Sequence, residues 1–357
     1  MTDPAKKLQE FLQMTIDSNA SDLHLSPGHP PIVRIARALV PLPKRGALSA
    51  QDVQDLAFAL MSEELKERFL QEKDVDFSYR FEDKARFRVN IFYQKGDISV
   101  ALRLVPSEIR TVEELNLPPI LHQFATLKQG FVLITGPSSH GKSTTLAALI
   151  DEINHTRSSH IITIEDPIEY VFTPDQAIID QREVYQDALS FSRALRATFR
   201  QDPDVIMVGE MRDPETISTA ITAAETGHLV FATLHTNSAA QTIHRIVDSF
   251  PAEQQTQIRA QLSTSLSGIV AQRLVPRIKG GLIPAVEVLL ANPAVSNLIR
   301  ENKVHEVSFV IDTSAEKGMV SLDRALADLV RKREVTLENA FIYASDPGSL
   351  RKLVGHS

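Results

Sequence analysis

No cysteine occurs among the 357 residues, and that absence removes disulfides, thiolate catalysis and cysteine-ligated zinc together. Long apolar runs are missing too, and none approaches the ~18 residues that a membrane-spanning helix requires. The opening residues, Met1-Thr-Asp-Pro-Ala-Lys-Lys, lead into an amphipathic pattern rather than the apolar core of a signal peptide. Together these predict a cytoplasmic location. Positive charge is in deficit: 38 basic against 45 acidic residues leave a formal charge of −7. Such a balance exerts no general pull toward nucleic acid. Neither an internal repeat nor a low-complexity tract is present. What remains, 43% apolar and 23% charged, is the composition of a globular protein long enough for two domains.

The pattern changes once along the chain. Leu8, Phe11, Leu12 and Ile16 recur at helical spacing within residues 5–17. Short strands are expected at 22–25 and 32–36, separated by Pro30-Pro31. A helical stretch opens at Ser49 and runs to about Gln71 with a break near Ser62. Residues 74–81, 85–93 and 98–105 alternate apolar and polar side chains, as antiparallel strands with one wet face do; Asp83-Lys84 and Lys95-Gly96 supply the turns. Residues 1–106 thus read as an α+β domain and the Pro-containing stretch 107–119 as a linker. From 120 to 346 strands alternate with helices, the mark of a parallel sheet covered on both faces. The expected strands are 131–135, 160–164, 204–208 and 229–234, with a helix at 188–200. Residues 251–275 read as helical, followed by a strand pair near Arg273 and at 285–290. Helices are expected at 293–301, 321–333 and 336–344, and residues 347–357 read as a flexible tail.

One stretch organises the second domain. Phe131-Val-Leu-Ile-Thr135 is a short buried strand, and the residues after it, Gly136-Pro137-Ser138-Ser139-His140-Gly141-Lys142-Ser143, satisfy G-x-x-x-x-G-K-[ST]. A helix follows Thr144, with Leu146, Leu149, Ile150 and Ile153 at i, i+3, i+4, i+7. This order suits phosphate: glycines let backbone N–H groups turn inward, and the helix N-terminus adds partial positive charge. Lys142 would reach the β- and γ-phosphates and the Ser143 hydroxyl would ligate Mg²⁺. Binding of a nucleoside triphosphate, ATP with Mg²⁺, is the expectation.

Ligands of open parallel sheets bind beyond the carboxyl ends of the strands. There the second strand ends in Glu165-Asp166-Pro-Ile-Glu169, the third in Gly209-Glu210 and the fourth in His235. A carboxylate so placed can hold Mg²⁺ or orient the attacking water. The plain alternatives are a solvated turn for Glu165, Asp166 and Glu169, and a surface ion pair with Arg212 for Glu210. His228 and His235 lie at opposite ends of one strand, ~23 Å apart at ~3.3 Å per residue, and cannot share a metal. His235 falls on the phosphate side, whereas His228 suits packing or a subunit contact. Arg193, Arg196 and Arg200 form a basic helix stripe. Phosphoryl transfer also uses an arginine that neutralises transition-state charge, and Arg86, Arg88 and Arg103 on the first domain's strands are candidates.

The phosphate loop, Thr163-Ile-Glu-Asp-Pro-Ile-Glu169, Arg200 to Asp213 and Thr226 to Thr236 resemble the Walker A, Asp, Walker B and His boxes of secretion-type ATPases. The pattern resembles the PilT pilus-retraction (twitching-motility) family over nearly the whole chain, from Ser21-Asp-Leu-His-Leu25 to Ala294-Val-Ser-Asn-Leu-Ile-Arg-Glu301. The resemblance implies a PAS-like domain followed by a RecA-like P-loop ATPase domain. It also implies a homo-hexamer with ATP between subunits, driving pilin removal at the base of the type IV pilus. Partners would be an inner-membrane platform protein and the pilus machinery. The location would be the cytoplasmic face of that membrane, by peripheral association only. Extension and type II secretion relatives usually carry more N-terminal sequence and a tetracysteine zinc site, so the cysteine-free chain falls on the retraction side.

The chain departs from the family pattern in three places. Ser139 and His140 stand where glycine and serine are usual, Val295 and Ser296 where isoleucine and arginine are, and Tyr185 where glycine is. Two rival readings follow. One is an accessory subunit that binds nucleotide and docks on an active motor. The other is a RecA-like nucleic-acid translocase, against which the acidic balance speaks.

Overall fold

The computed structural model describes residues 3–35, 38–43, 45–82, 84–106 and 108–355. Ala36 of the expected second strand, Asp83 of the expected turn, Ser107 at the head of the expected linker, and His356 and Ser357 lie outside them. The chain divides into two compact units. The first runs to Glu108 and includes Asp166–Val171; the second comprises Ile109–Glu165 and everything from Phe172 onward.

In the first unit α1 (Pro4–Asp17), β1 (Asp22–Leu25), β2 (Ile32–Ile35), β3 (Ala38–Pro41), α2 (Ala50–Leu60), α3 (Glu63–Glu72), β4 (Asp74–Phe81), β5 (Ala85–Gln94) and β6 (Asp97–Leu104) follow in order. An antiparallel sheet, β3-β2-β1-β6-β5-β4, carries the helices. Local signals set the helix ends. Asp3 caps α1 with Pro4 at its first position, and Ser49 and Asp52 form a reciprocal capping box on α2. Alternation decides the faces of β5: Phe87, Val89 and Ile91 are buried in the core. Arg86 and Arg88 therefore stand on the opposite face, and Arg103 joins them because it pairs in register with Arg88.

The second unit contains α4 (His122–Thr126), β7 (Gly130–Thr135), α5 (Lys142–Thr156), β8 (His160–Glu165), β9 (Ile178–Glu183), α6 (Phe191–Thr198), β10 (Val205–Val208), α7 (Pro214–Glu225) and β11 (Leu229–Leu234). It continues with α8 (Ala239–Asp248), α9 (Ala252–Ser265), β12 (Leu266–Pro276), β13 (Leu282–Leu290), α10 (Pro293–Arg300), α11 (Val307–Thr313), α12 (Leu322–Arg331), α13 (Leu337–Tyr343) and α14 (Pro347–Gly355). The sheet order is β13-β12-β7-β11-β10-β8-β9, parallel throughout except for β13. Every residue of β7, β10 and β11 is buried, as strands covered on both faces must be. Among the described residues no helix is long and apolar enough to cross a membrane.

Three expectations are corrected. Helix does not extend to Val275: α9 stops at Ser265 and β12 begins at Leu266. The run Leu266-Ser-Gly-Ile-Val-Ala is claimed by ladder pairing with β7 and β13, and the tertiary partners override its helical spacing. The stretch from Ile109 is no free linker: it is counted with the second unit, and its Val112 and Leu117 are buried. Nor are residues 347–355 a flexible tail, since they form α14 with Leu350 wholly buried beside Leu322, Leu326 and Ala340. Asp323 secures the approach by accepting the Ser345 and Asp346 backbone N–H groups at 2.8 and 2.9 Å. Edge strand β9 went unseen in the sequence because its Ile178-Ile-Asp-Gln-Arg-Glu run is mostly polar.

Candidate functional site

β7 and α5 meet through the glycine-bearing loop, and β12 explains why glycine is required there. A side chain on Gly136, at φ +146°, would put its Cβ 2.3 Å from the Gln272 carbonyl oxygen; on Gly141, at φ +80°, it would lie 2.8 Å from Gln272 Nε2. The loop therefore lies against β12, with its last residue opening α5. Lys142 is 7% exposed. Its Nζ donates to the Gly136 and Pro137 carbonyls at 3.0 and 2.9 Å. The ammonium is thus held at the loop, ahead of an N-terminus that favours anions. Ser143 follows at the second helical position, partly exposed, with Thr144 beside it. These residues fit a nucleotide phosphate.

The fourth strand end meets the loop directly. His235 Nδ1 lies 3.5 Å from Lys142 Nζ and 3.3 Å from Ser138 Oγ, while its Nε2 is 3.2 Å from Glu210 Oε1. Donation from Lys142 makes Nδ1 an acceptor, so the neutral ring carries its proton on Nε2, toward Glu210. Glu210 also takes Arg212 Nε on Oε2 at 2.8 Å. The ion pair with Arg212 thus exists, and Glu210 reaches the phosphate loop through His235 all the same. Glu165 ends the neighbouring strand, 4% exposed. Its Oε1 accepts from Thr163 Oγ1 at 2.7 Å and Gln181 Nε2 at 3.1 Å. The Gly209 N–H bonds to the Ile164 carbonyl at 2.8 Å, tying the strand ends of Glu165 and Glu210 together.

The other candidates have partners of their own. Asp166 and Glu169 belong to the first unit, where Glu169 pairs with Arg88 at 3.7 Å. Arg88 also binds Asp76 at 2.6 Å, Arg86 donates to Ser78 at 2.8 Å, and Arg103 pairs with Asp22 at 3.0 Å with most of its side chain exposed. His228 stands edge-on to Phe199 and bonds the Ala223 carbonyl at 2.9 Å, a packing role. Sequence reasoning missed the α8 side chains. A cavity of about 510 Å³ beside Glu210 and His235 is lined also by Gln241, His244, Arg245 and Asp248. No motif marks them; only the amphipathic spacing of α8 turns them to one side. Gln272 was missed as well, although it links Thr145 Oγ1 at 2.7 Å to the His140 carbonyl at 2.9 Å. Among the described residues no group of three histidine or carboxylate side chains could hold a metal ion. A Mg²⁺ ion would therefore rest on few protein ligands and on substrate oxygens.

The departures from the family pattern acquire physical meanings. Ser139 and Tyr185 have φ +63° and +69°, the left-handed region that glycine enters without a Cβ penalty. Val295 is wholly buried, as isoleucine would be, and Ser296 is partly exposed on α10. His140 uses its ring: Nδ1 accepts the Leu274 N–H at 2.9 Å. Burial, with Arg273 and Lys142 nearby, holds its pKa below the ordinary histidine value.

The sequence matches the model of the type II/IV secretion system protein family over residues 4–282. It is 45% identical over 335 residues to the type IV pilus retraction ATPase PilT of Pseudomonas aeruginosa, covering 93% of this chain and 96% of that one. A twitching motility protein of Neisseria gonorrhoeae is 47% identical over 294 residues, 82% of this chain and 79% of that protein. Among solved structures, the pilus retraction motor PilT with bound ADP superposes with a TM-score of 0.89 at 47% identity. That match covers 96% of this chain and 98% of the other.

Proposed function

Because the chain belongs to the type II/IV secretion system protein family, we propose that it is the ATP-hydrolysing motor of type IV pilus retraction. The observation that carries the reading is the connection Lys142–His235–Glu210, which joins the phosphate loop to two further strand ends of the same sheet. Lys142 neutralises the β- and γ-phosphates from its place on the loop. When bound, Mg²⁺ supplies further charge neutralisation on those oxygens, with Ser143 as its protein ligand. Of the two Asp-box glutamates, Glu165 is the one assigned to the attacking water with Glu210. It shares the second unit with Lys142, whereas Glu169 is engaged by Arg88 in the first. His235 keeps Glu210 and Lys142 in fixed relation.

The motor works as a homo-hexamer at the cytoplasmic face of the inner membrane, on a platform protein of the pilus base. Arg86, Arg88 or Arg103 of one subunit serves the site of another; Arg103 is the most exposed of the three arginines. Lys142→Ala tests the site: ATP hydrolysis is lost while circular dichroism stays that of the wild type, and near-normal turnover overturns the reading. Sedimentation tests assembly, since a strict monomer with full ATPase activity excludes an arginine from a neighbour. In cells, deletion lengthens pili and abolishes surface motility.

A further inference from the structure

β12 outruns its parallel partner. The last pair between them is Ala271 with Thr135, where β7 ends, yet β12 continues to Pro276. Beyond that pair no strand among the described residues bonds the β7-facing edge of β12. The phosphate loop occupies that edge. His140 Nδ1 accepts the Leu274 N–H at 2.9 Å, and Gln272 Nε2 donates to the His140 carbonyl at 2.9 Å. Gln272 Oε1 in turn accepts from Thr145 Oγ1, one turn into α5, at 2.7 Å. One histidine and one glutamine therefore fasten both the loop and the start of its helix to β12.

We propose that His140 is a positioning residue for the nucleotide, one that holds the phosphate loop in its receiving geometry by serving as a side-chain substitute for the missing β7 acceptor. This rests on the nucleotide-binding reading of the loop and adds a requirement to it. The bond needs an unprotonated Nδ1, because a protonated ring presents two donors and cannot accept from Leu274. The charged groups that act on the ring are Arg273 on β12 and Lys142 at the head of α5, both cations. They favour the neutral ring that the bond requires. His140 acts through the loop backbone, which is why its effect belongs to affinity rather than to the chemical step.

The test uses the full-length protein and titration with fluorescent N-methylanthraniloyl-ADP in the presence of Mg²⁺. His140→Leu, which offers no acceptor, should weaken binding by about tenfold or more. His140→Asn, whose Oδ1 can accept the Leu274 N–H, should restore affinity to within about threefold of wild type, the scale of an altered but satisfied hydrogen bond. The pH profile separates positioning from plain folding. Between pH 8 and pH 5.5 wild-type affinity should fall further than that of His140→Asn; the comparison cancels whatever His235 contributes. Wild-type affinity in His140→Leu, or acid binding that tightens in the wild type but not in His140→Asn, overturns the proposal. Should His140→Leu fail to fold, the two pH profiles decide alone. Loss of binding in Lys142→Ala together with unchanged affinity in both His140 variants would leave the nucleotide site intact and remove only this inference.

Discussion

Replacing Ser139 in turn by glycine, alanine and valine measures how much the left-handed backbone at that position costs. An L-residue held at φ +63° carries a penalty of about 1–2 kcal/mol from its Cβ. Glycine removes this, but its freer unfolded chain returns about 0.5–1 kcal/mol. The expected net gain in folding is therefore about 0.5–1 kcal/mol, a rise of about 1–4 °C in the thermal transition of the second unit. Alanine keeps the Cβ and should match serine, which separates backbone strain from any role of the hydroxyl. Valine, branched at Cβ, should lose about 1 kcal/mol or more. Binding follows a different reference. If the loop relaxes when free of nucleotide, the strain appears in Kd, where 1–2 kcal/mol is about one decade, and Ser139→Gly raises affinity more than turnover. Calorimetry at saturating ADP captures the strain in either case. The order glycine above serine and alanine, with valine last, is the expected result. Valine equal to wild type, with and without ADP, would refute the assigned backbone geometry.

Two further outcomes are expected. Burial raises the Glu287 carboxyl from its ordinary 4.5 to about 7, while the Ala239 N–H at 2.7 Å works the other way. The folded state then holds a proton that the unfolded chain releases, so stability is lost as pH rises from the ordinary value through about 7, by about 3 kcal/mol in all. Glu287→Gln should therefore gain on the wild type at pH 8 and not at pH 4; a urea-midpoint difference independent of pH would contradict this. Tyr185→Gly should raise the thermal midpoint slightly, for the same reason as at Ser139, and leave nucleotide affinity unchanged. A lower midpoint would mean that the exposed ring makes contacts worth more than its strain.

The strand, loop and helix of the phosphate-loop motif could be read along the chain because the motif is local. A buried apolar strand, a glycine turn and a helix start are consecutive, so the loop from Gly136 to Ser143 specifies its own shape. The strand ends were equally legible. A parallel sheet brings its carboxyl edges together whatever its strand order, which puts Glu165, Glu210 and His235 at one edge before any register is known. The alternation of Arg86 with Phe87 and of Arg88 with Val89 likewise assigned faces without coordinates. Tertiary structure decided what depends on partners distant in sequence. That Leu266 begins a strand, that Leu350 anchors a last helix and that Glu169 pairs with Arg88 are all settled by neighbours far along the chain. The same holds for Ser139, Tyr185 and His140. Residue type alone cannot report a positive φ or an acceptor bond to Leu274, because both are imposed by the strand against which the backbone is packed or by the turn it must close.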